Sequence, residues 1–517
     1  MANIFENKDR HVIPNWRSFD NTAKLGELNG SKTIQLNSSF KPDISDLLED
    51  WKENKNLGVA GDILGVAIVC NQQNDKIVKD VSDFVLKQSN GATPALIKAA
   101  SSIRQNKKEE IDFPFEIKNI QTFAFRENLE ALFQRIKWFK QRLIQNPNNP
   151  IAWVELSRLY SINGQEVQAE KAMRNALYLA PENRFVLRNM ARFFVHIGDI
   201  DFAHDNIKKS TITQYDPWVM ATEIALADLR GRGSTFAKKG IQLINSNSFH
   251  PFNITELSSS IGTLELSSSS IKKSKKLFEK SLIHPNDNSL AQAEWVSQEE
   301  NGIMNFDPSK FNVNNSFEAL ARDAKEKKDW NKAIELSKNW FLDLPFSKGG
   351  ILFGNEIATS KLKDHTKAVE IAKLGLVSHP NDHQLLNNIV YSLCLDNKIE
   401  EAEKHFNKIR LSQLDDSDIN KVCITATKGL LYFRKGQTEL GRKFYLESMQ
   451  LAKDLNNSYL SSLAFVNYSR EEVLRNEEDL SPIVPKLLEI KKKTTNEDIS
   501  ALVDEVIDLK NKKTNTQ

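Results

Sequence analysis

From about residue 43 onward, apolar residues recur at the i, i+3, i+4, i+7 spacing that gives an α-helix one buried face. Ile44, Leu47, Leu48 and Trp51 predict a first helix running to about Asn54. Val59 to Cys70 is a nearly continuous apolar run, and Ile77–Lys87 and Pro94–Ile103 read as two more helices, with Gly91 as a stop between them. Leu129, Leu132, Ile136, Phe139 and Leu143 mark one face of a long helix over Glu127–Gln145. Residues 1–42 lack this period and are broken by Pro14, Gly26, Gly30 and Pro42. They predict an extended arm whose apolar anchors are Trp16 and Phe19.

The helical pattern then acquires a longer period. Residues 149–183 read NPIAWVELSRLYSINGQEVQAEKAMRNALYLAPEN. Trp153, Leu156 and Tyr160 share one face of a first helix, and Gly164 supplies a turn. Ala169 is small where a second helix approaches the first, and Pro181 ends the unit. Leu187, Met190, Phe194, Gly198 and Ala203 occupy the same slots 34 residues later. Ile224 and Ala237 keep the register in a degenerate third unit, and Ile261, Gly262, Ser274, Phe278, Ser281 and Pro285 mark a fourth. The serine-rich run in this fourth unit keeps Leu257, Ile261, Leu264 and Leu266 and so predicts helix. The period fails over Asn301–Asn315 and resumes with Phe317, Leu320, Ala321, Ala333, Trp340 and Pro345. Later units are marked by Ala368, Ala372, Gly375 and Pro380, by Leu386, Ile389, Leu393, Ala402 and Phe406, and by Gly429, Tyr432, Gly436, Gly441 and Tyr445. The predicted organisation is an arm (1–42), an N-terminal helical domain (43–115), a first repeat block (116–300), a break (301–315), a second block (316–480), and capping helices with a charged tail (481–517). Arg104–Asn119, charged and proline-containing, marks the first boundary.

These residue types at these offsets resemble the tetratricopeptide repeat (TPR) family. The resemblance implies an all-α helix–turn–helix solenoid in two blocks, preceded by a helical N-terminal domain. Each unit buries its apolar face on its neighbours, and the array offers a long concave surface to a peptide, helix or partner domain. In this family the first helix of each unit turns set positions inward. Near those positions stand Arg158, Arg188, Asn189, Arg192 and His196. Arginine forks suit carboxylates, so this cationic strip predicts contact with another protein or an acidic peptide. The lysine–asparagine clamp with which some members hold chaperone C-termini is not present as such; only Asn189 resembles it. Outside the repeats, HVIPNWRSFDNTAKLGEL (His11–Leu28) resembles the start of bacterial conflict-system proteins in which a TPR array precedes a Gre-factor-like domain and a PIN nuclease. That likeness implies a sensing or scaffolding subunit in bacterial defence whose effector is another chain.

Composition narrows the chemistry. The 517 residues carry 70 Lys+Arg against 68 Asp+Glu, a net charge of +2, which gives no general drive toward nucleic acid or membrane. The basic runs Lys272–Lys276 and Lys491–Lys493 fall on predicted helices among acids and read as solvated faces, with contact to RNA or DNA as the alternative function. Cys70, Cys394 and Cys423 are dispersed and odd in number, which argues against a disulfide framework or thiolate zinc site and fits a cytoplasmic setting. The N-terminus lacks the apolar core of a secretory signal, and the longest apolar run, Gly61–Cys70, is far short of a membrane span. His379 and His383 straddle Pro380 and read as turn residues, and Gly231–Gly240 lacks the spacing of a phosphate loop. Pro42-Asp43 with Glu53 and Lys55 matches a nuclease motif in residue type only, since the pattern there is helical. No nucleophile has an assignable base, so the expectation is a non-enzyme with no cofactor and no metal.

Overall fold

The computed structural model describes residues 13–16, 44–53, 55–69, 73–89, 92, 94–105, 129–145, 147–246, 248–299, 304, 306–313, 315–411, 414, 419–475 and 483–514. Twenty-five α-helices and no strand occur among the described residues. The chain divides into two compact units, Met1–Gly350 and Ile351–Gln517. Phe19, Cys70, Gly91, the 106–119 part of the expected first boundary and most of His11–Leu28 lie outside the described residues.

The first unit opens with four short helices: α1 (Ile44–Glu53), α2 (Leu57–Val69), α3 (Lys76–Lys87) and α4 (Pro94–Arg104). They gather around Trp51, Val59, Ile63, Leu64, Val78 and Val85. Trp51 meets Phe84 edge-on at 5.0 Å. This subdomain rests on the repeats. The Leu57 amide donates to the Ser248 carbonyl at 2.6 Å, and Phe249 joins its core.

Helix α5 (Leu129–Gln145) then leads into pairs: α6 (Pro150–Ile162) with α7 (Glu166–Leu179), α8 (Arg184–Ile197) with α9 (Ile200–Lys209), α10 (Pro217–Leu229) with α11 (Ala237–Asn245), and α12 (Thr255–Ser267) with α13 (Ile271–Ser281). α14 (Asp287–Glu299), α15 (Phe317–Glu326) and α16 (Trp330–Asp343) follow. Local chemistry fixes each start. Asn149 and Asn183 cap α6 and α8 by accepting the backbone N–H three residues on, at 3.1 Å in both cases. Asp216 caps α10 ahead of Pro217.

The turn inside each pair needs one left-handed residue. Gly164, Gly198 and Gly231 take φ of 69°, 89° and 64°, which explains the glycine slot read from the sequence. Where the slot lacks glycine, Ser269 and Lys328 hold φ of 60° and 59°. A polar side chain also ties the two helices of a pair together. Ser157 donates to the Ala169 carbonyl at 2.7 Å, and Ser274 to the Gly262 carbonyl at 2.8 Å.

The aperiodic stretch near 301–315 lies within the first unit, and the division between units falls instead at 350/351. Apolar burial explains the difference: Met304 and Phe306 pack on a cluster of Phe278, Ala293 and Val296. α14 also packs directly against α15.

The second unit begins within α17 (Gly349–Ser360). It continues through α18 (His365–Gly375), α19 (His383–Leu395), α20 (Ile399–Phe406), α21 (Ile419–Arg434), α22 (Thr438–Asp454), α23 (Ser458–Arg475), α24 (Ile483–Lys493) and α25 (Glu497–Thr514). One apolar core runs through it, from Ile389 and Leu393 through Phe433 and Tyr445 to Val503 and Val506. α24 and α25 join this core through Leu487, Ile499, Val503 and Val506. Each unit is thus an all-α, TPR-like stack of helix pairs.

Candidate binding face of the first unit

In the first unit, alternate helices touch across the pairs: α6 with α8, α8 with α10, α10 with α12, and α12 with α14. The first helices therefore form one continuous row. Such a row is the surface on which the five expected site residues should lie.

Arg188, Arg192 and His196 are four residues apart and share one face of α8. What they meet is mostly this chain's own structure. Arg188 donates to both carboxylate oxygens of Glu256 at 2.8 and 3.1 Å, and to the Trp218 carbonyl at 3.3 Å. Its guanidinium also lies 5.0 Å over the Trp218 ring. Glu256 is only 1% exposed and accepts a third bond from Asn286 at 2.7 Å. The charge of Arg188 is thereby used in a buried clamp linking α8, α12 and the start of α14.

Arg192 and His196 share a different neighbour. The Arg192 guanidinium stands 5.6 Å from the Phe346 ring, and the His196 imidazole meets the same ring edge-on at 5.5 Å. Asn189 is buried and bonds within its own helix, to the Phe185 carbonyl at 2.7 Å. Arg158 is buried with Glu155 at 3.6 Å. The structure thus gathers Arg192 and His196 at one aromatic spot, binds Arg188 into a clamp beside them, and gives Asn189 and Arg158 partners within their own helices.

Four residues that complete this face stand out only in the structure. Glu256 lies 68 residues after Arg188, two repeat lengths, and that offset was the available signal. Trp218 and Phe346 fall on none of the repeat slots read from the sequence. Trp16 read as an anchor for the arm, without a destination. It is fully buried, with Phe193 of α8 at 5.6 Å and Phe346 at 5.1 Å. The neighbouring Asn15 amide donates to the Asp287 carboxylate at the start of α14.

Elsewhere the chemistry is structural. Arg230, His204, Glu223 and Ser234 form a half-buried polar chain, but the serine hydroxyl meets the Glu223 carboxylate rather than the imidazole. Gly231 is a left-handed turn residue and Ala237 opens a helix, so Gly231–Gly240 is an inter-helix turn followed by the first turn of α11. Lys272, Lys273, Lys275 and Lys276 are exposed along α13, whereas Lys491 and Lys493 pair with Asp504 and Glu489. Burial pushes the Cys394 thiol up to about 12, which leaves it unreactive. Among the described residues, no three His, Cys, Asp or Glu gather as a metal cluster, and no helix is long and apolar enough to cross a membrane.

No family model matches the chain, and no curated protein does. Among solved structures, the crystal structure of the yeast Tom70 is similar over 74% of this chain and 93% of that chain, at 12% identity and a TM-score of 0.30. The repeat architecture described above rests on the helix pairs themselves.

Proposed function

We propose that this chain is a non-catalytic protein–protein interaction scaffold or regulatory subunit that holds a segment of a partner protein on the row of first helices in its first unit. The continuous packing of α6, α8, α10, α12 and α14 against one another carries the reading, because it makes one extended face from separate repeats. His196, half-buried beside Phe346, is the partner-contacting group in this proposal, backed by Arg192, which is buried against the same ring. Arg158, Arg188 and Asn189 serve by holding the face in shape. In the setting implied by the arm's resemblance, the partner is an effector chain of a bacterial defence system in the cytoplasm.

A photo-crosslinking amino acid separates this face from the rest of the surface. Placed at His196, it should capture the co-purifying partner. Placed at Tyr178, which is 86% exposed on α7, it should not. Capture from position 178 alone would overturn the assignment.

A further inference from the structure

We infer that Ile13–Trp16 is a removable occupant of the binding face, and that the partner segment it stands in for is non-helical and carries an aromatic residue. The inference rests on the proposed function and deepens it by naming the ligand class. Four residues of the arm are described, and all are fixed. Ile13 and Trp16 are 2% and 0% exposed, Pro14 is buried, and Asn15 reaches the Asp287 carboxylate. None of the four belongs to a helix, and their side chains pack on α8, Phe346 and the start of α14.

The place they occupy is the one where the expected site residues converge. Trp16 lies against Phe346, the ring that Arg192 and His196 both approach, and against Phe193 of the same helix. The pocket accordingly selects a flat apolar ring beside cationic groups, which suits tryptophan or another aromatic residue. Two features make the occupant displaceable. It is held by side chains, Ile13, Pro14 and Trp16 buried and Asn15 on Asp287, with no backbone pairing to the repeats among the described residues. The indole N–H of Trp16 is also buried with no acceptor among the described residues, which weakens its hold. Tethering compensates, because a covalently linked segment competes at an effective concentration on the order of millimolar. A partner must bring a better aromatic anchor or further contacts along the row.

The test uses the full chain and a fluorescein-labelled peptide of residues 9–20, read by anisotropy. The Ile13→Ser/Trp16→Ala variant, with its arm disengaged, should bind this peptide more than about tenfold tighter than the unaltered chain does. The same peptide carrying Trp16→Ala should not bind. Should the double variant lose its helical circular dichroism, Asn15→Asp sets a carboxylate against Asp287 and should release the arm with the core intact. Equal binding by the unaltered chain and a folded arm variant overturns the inference. If that occurs while position 196 still crosslinks to the partner, the scaffold reading stands and only the arm's role fails. If the peptide binds but position 196 captures nothing, the reverse holds.

Discussion

At the scale of single residues, the decisive pair is Arg188 with Glu256. A positive stripe on α8 was legible in the sequence, because three of its residues repeat every fourth position. Its electrostatic meaning was not, because the neutralising carboxylate comes from two repeats away. A charge pair this deeply buried is costly to break, since the surviving member is left desolvated. Arg188→Ala should therefore lower unfolding free energy by about 3–5 kcal/mol in urea denaturation. Arg188→Met combined with Glu256→Leu should recover most of that loss, because both charges then leave together. A double variant as unstable as the single one would show that the clamp does more than neutralise charge.

At the scale of elements, the helix pair was readable almost to its ends. Capping asparagines and aspartates, i, i+3, i+7 apolar faces and the turn glycine are all local chemistry. Their outcome depends little on distant structure, as α6 and α7 show. The serine-rich α12 was likewise recoverable from its leucines, although its serines proved to be core residues. The aperiodic segment after α14 was less legible: its lack of period suggested a break, and of its described residues Met304 and Phe306 pack, partly buried, on the repeat core. The left-handed turn residue offers a direct check on this account. Lys328 occupies that position at φ 59°. Replacing it with glycine should raise stability by about 0.5–1 kcal/mol, measured by the denaturation midpoint. A loss of stability would mean that the lysine side chain, rather than backbone strain, dominates at this turn.

At the scale of the molecule, the repeat physics produces two stacks, and burial sets how the second responds to acid. Burial holds the imidazoles of His365 and His405 below the usual histidine pKa. The folded chain therefore keeps them neutral while the unfolded chain takes up protons first as pH falls below about 6.5. Their contribution is present above that value and is lost as pH falls through the folded pKa. Thermal midpoints should drop between pH 7.5 and 5.5, and His365→Gln with His405→Gln should flatten that dependence. A slope unchanged by the pair of substitutions would assign the acid response to other groups.

The occupant of the first stack's face was the least legible feature of all. Trp16 lies far in sequence from Phe193 and Phe346, and no local pattern links an irregular arm to a site assembled from distant repeats. The central claim, that this face holds a partner, is tested most directly by the affinity of the co-purified partner for the His196→Glu variant. Arg188 is left intact in that comparison so that the Glu256 clamp still holds the fold. A carboxylate beside Phe346 should weaken binding by about tenfold or more with the thermal midpoint unchanged. Undiminished affinity in a variant of native helicity would contradict the account.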